Sequence, residues 1–187
     1  MAALLLCLPA LAMAEVAAGL IRNSSGLPAT FPLQVKTDAG LDYRLTLRDP
    51  DTGAERLTAH IGGGRFFRVL VPPGRFTLHF DYGRQWQDET ARFGNGPDAG
   101  GFDLPEPLTF EIRGSGVRAG HIVDLRGLQR ERPAVISGQF ICQGLRYEYD
   151  PAFDRRPGPI DRAAPDRLPE DLWFRSRRIE VRSRYCR

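Results

Sequence analysis

The sequence predicts an all-β protein, an antiparallel β-sandwich with a C-terminal extension rich in proline and arginine. Three observations lead to this prediction. Short segments alternate apolar and polar residues, which places one face of each strand in a core. Clusters of Gly, Pro and Asp separate these segments at short intervals, and no segment has the apolar spacing of an amphipathic helix. Two sheets that cover each other's apolar face satisfy this pattern.

The segment 65–82 carries the pattern most clearly. Pro73 presets the φ angle of the first central position of a type II turn, and Gly74 supplies the positive φ of the second. The strands on either side are therefore predicted to fold back on each other as a hairpin. Beyond the turn, large side chains occupy every second position, which predicts one face buried by Phe76, Leu78, Phe80 and Tyr82.

The remaining strands follow from the same two signals. Turns are predicted at 49–53, an Asp-Pro-Asp-Thr-Gly sequence, and at the three glycines 62–64. A loop rich in Gly, Asp and Pro is predicted for 93–107. The other predicted strands are 32–36, 41–48, 55–61, 108–112, 117–125, 134–149 and 177–185.

The ends of the chain predict an exported protein. A short apolar stretch closes with Ala12-Met13-Ala14, a signal-peptidase pattern, so residues 1–14 are predicted to be a signal peptide. Export implies a periplasmic location. The sandwich domain is expected over 15–128, and the C-terminal extension over 129–187, with an irregular Pro-rich segment at 151–169.

Two cysteines remain after the predicted cleavage, Cys142 and Cys186. An even pair in an exported chain predicts a disulfide, which would staple the extension closed. The alternative is two buried, reduced cysteines.

The charge pattern sets limits on the partners. The net charge is +3, and residues 129–187 hold 13 basic and nine acidic side chains. Acidic and basic residues are interspersed there, and no basic run exceeds two, so nucleic-acid binding is not predicted. An arginine-bearing extension is nevertheless suited to acidic lipid headgroups or an acidic protein. Association with a membrane complex is the alternative, held mainly by the Pro-rich segment.

No catalytic or metal-binding constellation is predicted. The three histidines, His60, His79 and His121, stand in no zinc or triad motif and are expected at surface or edge positions. The sequence Asp49-x-Asp51-x-Gly53 resembles the start of a calcium loop, but it lacks the distal glutamate and is expected to be an ordinary turn. No cofactor is predicted.

One aromatic segment is a candidate binding surface. Large and polar side chains lie together just beyond a strand end, a mixture that suits a sugar or a peptide. Trp86 would be the stacking surface. The alternative is that Trp86 and Phe93 cap the open end of the sandwich. The candidate residues are Tyr82, Arg84, Trp86, Glu89 and Phe93.

A family resemblance supports the predicted fold. The sequence 71–78, Val-Pro-Pro-Gly-Arg-Phe-Thr-Leu, resembles the Pro-Gly-x-aromatic hairpin of transthyretin-like and carboxypeptidase-regulatory-like β-sandwiches. Together with the Gly62–Gly64 turn, Gly83-x-x-Trp86, Glu89 and Phe93-Gly94, it is similar to a group of uncharacterised bacterial envelope proteins. The resemblance spans about 41–125. It implies an envelope location and a non-catalytic accessory role.

The sequence therefore predicts an exported, non-catalytic β-sandwich that binds a protein partner or an envelope polymer. Its candidate surfaces are the segment 86–93 and the arginine-bearing region 146–178. One alternative is a structural subunit or assembly factor of a membrane complex. Another is a hydrolase that uses carboxylates near Trp86. The carboxylates considered for acid–base chemistry are Asp88 and Glu89 and, elsewhere in the sequence, Asp150 and Asp154.

Overall fold

The computed structural model describes residues 18–84, 86, 93, 96–149 and 177–186. The predicted signal peptide and the predicted Pro-rich segment lie outside the described residues. Cys142 and Cys186 are bonded to each other, with 5.8 Å between their Cα atoms. The disulfide prediction is therefore confirmed.

Strands dominate the described residues, none of which lies in an α-helix. The all-β prediction is confirmed, and every predicted strand segment is a strand. Two strands were not predicted, β1 (Gly19–Asn23) and β7 (Gly100–Asp103), and β7 lies inside the predicted loop 93–107. A 3-10 turn occupies Leu128–Arg130. The strands are β1 (Gly19–Asn23), β2 (Phe31–Lys36), β3 (Asp42–Arg48), β4 (Glu55–Ile61), β5 (Phe67–Val71), β6 (Gly74–Gly83), β7 (Gly100–Asp103), β8 (Leu108–Arg113), β9 (Val117–Asp124), β10 (Val135–Tyr149) and β11 (Arg177–Cys186).

The first part of the sheet has the order β1-β4-β3-β6-β7, with all neighbours antiparallel. β3 and β4 form a hairpin closed by the predicted Asp-Pro-Asp-Thr-Gly turn. There the Asp49 carboxylate accepts hydrogen bonds from the backbone N–H groups of Asp51 and Thr52, both at 3.1 Å. The bond from Thr52 and the guanidinium of Arg56 lower the pKa of Asp49. The Asp49 carboxylate, which suggested a calcium loop, therefore accepts hydrogen bonds within the turn itself.

The second part of the sheet has the order β5-β2-β9-β10-β11. The β2–β9 pair is parallel and runs from Leu33 beside His121 to Lys36 beside Asp124. Next to it, a Cβ atom on Gly120 would lie 1.9 Å from the carbonyl oxygen of Pro32. Only glycine fits at this close approach of two backbones.

One strand joins the two parts. Residues 74–76 of β6 pair with residues 108–110 of β8, and the far end of β8 pairs with β9. The strands thus form one mixed, nearly closed sheet. The predicted antiparallel sandwich is not confirmed, because the β2–β9 pair is parallel and the β6–β8 pair links the two parts.

The predicted hairpin around Pro73 and Gly74 is wrong, although the chain bends at Pro73. Gly74 has the expected positive φ, 140°. However, β5 pairs with β2, whereas β6 pairs with β3, β7 and β8. The turn therefore carries the chain from one part of the sheet to the other. Turn residues specify a reversal of the chain, not the strand that each arm will join.

The core lies on the predicted face of β6. Phe76, Leu78 and Phe80 are buried, and Tyr82 packs against them at the edge of the core. The alternate residues of β6 lie on the opposite face. Alternate residues of β2, β3, β4, β5, β8 and β9 complete the core, which includes Leu33, Val35, Tyr43, Leu45, Leu47, Leu57, Ala59, Ile61, Val69, Val71, Phe110 and Val123.

His121 lies where β9 stops pairing with β8 and begins to pair with β2. Its Nε2 atom is 2.8 Å from the carbonyl oxygen of Thr109, and since a carbonyl only accepts, Nε2 is the donor. The ring meets the ring of Phe110 edge-on at 5.0 Å. Burial lowers the pKa of His121; the bond to Thr109 opposes this effect, and the charge of Arg113 adds to it.

The free energy of unfolding is expected to fall as the pH drops through about 6.5, the pKa of an unperturbed histidine. The pKa of His121 is lower in the folded protein, so the unfolded chain binds the proton first and protonation favours unfolding. Urea titrations at pH 7.5 and 5.5 measure the decline. We expect a smaller decline in His121→Gln than in the original protein. An equal decline in His121→Gln and the original protein would contradict this assignment.

Candidate functional site

The aromatic pair of the predicted binding surface packs against the sheet. The Trp86 ring lies 5.5 Å from the ring of His60 and meets the ring of Phe93 nearly edge-on at 5.3 Å. The predicted surface or edge position of His60 is wrong, because His60 is buried on the non-core face of β4, between β1 and β3. Phe93 is buried against Gly83, where a Cβ atom would lie 2.6 Å from that of Phe93. Trp86 and Phe93 therefore cover the outer face of β4 and β6.

Among the other predicted binding residues, Tyr82 lies on the opposite face of β6, packed against the core. The Tyr82 ring lies against the rings of Tyr43 and Phe102, at 6.1 and 6.3 Å. Arg84 is exposed, and its Nε atom donates to the carboxylate of Asp98 at 2.6 Å. Glu89 lies outside the described residues. Ligand binding by these residues stays a prediction.

A buried arginine lies on the same outer face. Arg44 is only 4% exposed, although it occupies a polar position of the alternating strand β3. Its Nη1 atom donates to Thr46 Oγ1 at 2.7 Å and lies 3.5 Å from the carboxylate of Asp81, and Nη2 lies 3.5 Å from that of Glu55. Removing either partner would leave an uncompensated charge on this face. Sequence reasoning missed Arg44, since alternation predicts the face of a residue but not what covers it.

His79 lies between two carboxylates on this face, as its predicted polar position allows. Its Nδ1 atom is 2.8 Å from Asp103, and its Nε2 atom is 3.2 Å from Asp81. Both ring nitrogens are thus engaged within the protein. Within the described part of the chain, no group of three or more His, Cys, Asp or Glu residues could hold a metal ion. The remaining carboxylates weighed for acid–base chemistry lie outside that part: Asp88, Glu89, Asp150 and Asp154.

An open groove of about 630 Å³ lies where β6 crosses to β8. It contains one carboxylate, Glu111, and neither histidine nor cysteine. The groove therefore offers no pair of groups for acid–base catalysis. Its lining includes Phe31, Pro73, Arg75, Ile112 and Arg118.

A two-stranded ribbon is the most distinctive surface of the described structure. β10 pairs with β9 only over residues 135–142, and then continues to residue 149 with β11 as its one described neighbour. We call the paired residues 140–149 and 177–186 the ribbon. The predicted return of the last strand to the vicinity of Cys142 is confirmed, because Cys186 lies opposite Phe140.

The two faces of the ribbon differ in chemistry. Leu145 lies directly opposite Val181, and Ile179 and Tyr185 share their face. These four side chains are between 47% and 61% exposed. The other face carries Arg146, Glu180, Arg182 and Arg184, all of them exposed. One side of the ribbon is therefore mostly apolar, apart from the exposed pair Gln143 and Ser183, and the other side is mostly basic.

The base of the ribbon is fixed to the rest of the protein. The Cys142–Cys186 disulfide joins the two strands where they leave the sheet. The guanidinium of Arg68, on β5, lies over the ring of Tyr185 at 4.7 Å from its centre. This cation–π contact connects β11 to a strand that it does not pair with.

Comparisons with protein-family models, curated proteins and solved structures found no match to the chain. The described residues include no helix long and apolar enough to cross a bilayer. The disulfide is compatible with an oxidising compartment.

Proposed function

We propose that the chain is an exported, non-catalytic β-sandwich protein that binds a protein partner of the bacterial envelope through the ribbon. The observation that carries the proposal is the apolar stripe formed by Leu145, Ile179, Val181 and Tyr185. Clustered exposed apolar side chains on a soluble domain mark interaction surfaces. Leu145 immediately precedes the arginine-bearing region 146–178 that the sequence singled out, and the other three residues of the stripe follow it.

The location and the fold type belong to the same proposal. The apolar stretch at the start of the chain and the disulfide both suit a periplasmic protein. The resemblance to transthyretin-like sandwiches is consistent with two parts of the sheet whose apolar faces share one core. On this proposal, the β6–β8 pair is a local addition to such a sandwich. Non-catalytic accessory binding is the role that this resemblance implies.

Three other functions have weaker support. Binding of an envelope polymer at Trp86 would have to use a ring that already packs against His60 and Phe93. A structural subunit or assembly factor of a membrane complex would use the same ribbon, which flanks the Pro-rich segment at both ends. A hydrolase would need a site that the groove at Glu111 does not supply.

Capture of partners from an envelope fraction tests the proposal. The immobilised full chain is crosslinked to its neighbours, and the captured proteins are identified by mass spectrometry. Replacing the stripe in Leu145→Ser/Val181→Ser is expected to lower capture by about tenfold or more, because truncating central interface residues has the largest effects. The matched control is Leu27→Ser/Ile112→Ser, which changes residues of similar exposure, 49% and 64%, elsewhere on the surface.

The outcomes separate the candidate functions. Capture that the stripe variant loses and the control keeps supports the proposal. Equal capture by both variants contradicts it. If the captured proteins all belong to one membrane complex, the protein is a subunit or assembly factor. Sedimentation of the pure protein with cell-wall polymer, abolished by Trp86→Ala, would instead favour polymer binding.

A further inference from the structure

We propose that the ribbon binds an extended, acidic segment of its partner, which adds as a strand to the open edge of β11. This inference rests on the proposed function and specifies which kind of partner segment the ribbon binds. Its starting point is the pairing of β11, whose ten residues pair with β10 and with no other described strand. An open edge offers a row of backbone donors and acceptors to another extended chain.

The charge of β11 determines the kind of segment. Among its ten residues, Arg177–Cys186, there are four arginines and one glutamate. Arg184 is exposed on the basic face of the ribbon, and Arg182, exposed on the same face, donates from Nε to the carboxylate of Glu180 at 3.0 Å. Opposite charges on neighbouring strands stabilise a pair, and like charges directly opposite each other destabilise it. An acidic strand is therefore favoured.

The same arginines disfavour a second copy of the chain. Two antiparallel copies of β11 would bring several arginines close to one another, with one glutamate per copy to offset them. Charged residues on an edge strand are a common protection against such self-pairing. The charges on β11 therefore disfavour pairing with a second copy of β11 and favour pairing with a strand of opposite charge.

The apolar face of the ribbon determines which residues the partner segment needs at every second position. Val181 and Ile179 on β11 extend the stripe from Leu145 towards the open edge. An added strand places every second side chain beside them and the remaining ones beside the arginines. The preferred segment therefore alternates apolar and acidic residues. Because the disulfide fixes the base of the ribbon, little ordering is needed on binding.

Binding of synthetic peptides to the full chain tests this inference. The first peptide has ten residues that alternate glutamate and valine, and its comparison peptide alternates lysine and valine. Fluorescence polarisation is expected to give at least about tenfold tighter binding of the glutamate peptide, since several charge pairs differ in sign. Hydrogen exchange should slow at amides of β11 and stay unchanged in β1, an edge strand of the other part of the sheet.

Backbone methylation distinguishes strand addition from simple charge attraction. Two further glutamate peptides carry N-methyl groups at either the odd or the even residues. An added strand points only alternate N–H groups at its neighbour, so one of these peptides should lose binding and the other should keep it. If both bind as well as the unmodified peptide, the contact is electrostatic only and the inference is wrong.

A matched pair of variants locates the site. Arg184→Glu is expected to weaken the glutamate peptide by about fivefold, the contribution of one exposed charge pair. Arg75→Glu changes another exposed arginine by the same charge and should have no effect. Equal effects of the two variants would place the peptide elsewhere and overturn the inference.

The remaining outcomes also decide the question. Concentration-dependent dimers in sedimentation would show that a second copy of the chain binds at this edge. Binding to phosphatidylglycerol vesicles without peptide binding would show that the ribbon binds a membrane. Either result overturns the inference. If the envelope partner is captured through the stripe but the glutamate peptide neither binds nor competes, the proposed function stands and strand addition fails. If the stripe variant captures the same proteins as the control, the proposed function fails first.

Discussion

Replacing Phe80 with alanine is expected to lower the free energy of unfolding by about 3–5 kcal/mol, the usual cost of removing a buried phenylalanine. The Phe80 side chain has no exposed surface, and its ring stacks on that of Phe102 at 5.3 Å. β6 lies between β3 and β7, so the cavity would open in the middle of this part of the sheet. Urea unfolding followed by circular dichroism measures the change.

Phe66→Ala is the control for this prediction. Phe66 is 70% exposed, and its described ring contact is with the guanidinium of Arg68 at 5.3 Å. Exposed cation–π contacts contribute about 0.5–1 kcal/mol, so this variant should lose no more than that. If Phe80→Ala and Phe66→Ala cost the same, the buried face of β6 has been assigned wrongly.

The sequence predicted the faces of the strands better than their neighbours. In β6, alternation alone identified the buried side chains, because a period of two fixes which residues share a face. The same reasoning placed His79 on the polar face, where it contacts two carboxylates. β7 escaped prediction because Gly100 and Gly101 look like loop residues. Glycine fits there because a Cβ atom at position 100 would lie 2.6 Å from the hydroxyl oxygen of Tyr82.

Pairing partners could not be predicted in this way. The turn at Pro73 and Gly74 suggested a hairpin, but its two arms belong to different parts of the sheet. The parallel β2–β9 pair joins segments far apart in the chain, and its close approach at Gly120 has no local signature. Local residue patterns report the conformation of a segment, whereas pairing depends on the packing of the whole molecule.

The candidate sites show the same division. The aromatic residues Trp86 and Phe93 were recognised as a unit, and the structure brings them together over His60. Alternation also predicted the last strand, but not that its apolar face would be exposed. That face is exposed because β10 extends beyond the end of β9, so no further strand or core lies beside Leu145 and Val181 among the described residues.

Removing the disulfide in Cys142→Ser/Cys186→Ser is expected to release β11 from β10. The two cysteines are 44 residues apart, and a loop of that size corresponds to about 4 kcal/mol in the chain-entropy model. β11 pairs with one described strand, and most of its described side chains are exposed, so few other contacts retain it. Native-state hydrogen exchange at β11 should therefore accelerate by up to roughly a thousandfold, which corresponds to that free energy.

The pattern of exchange shows whether the ribbon opens as a unit. Amides of β3, in the middle of the other part of the sheet, should accelerate no more than those of β11, because opening the ribbon leaves the core strands paired. The control Ser183→Ala changes β11 but keeps the disulfide, and it should retain the original exchange rates. Since the stripe and the open edge exist only while β11 is paired, the double variant should also lose the captured partner. Unchanged exchange at β11 would mean that strand pairing alone holds the ribbon.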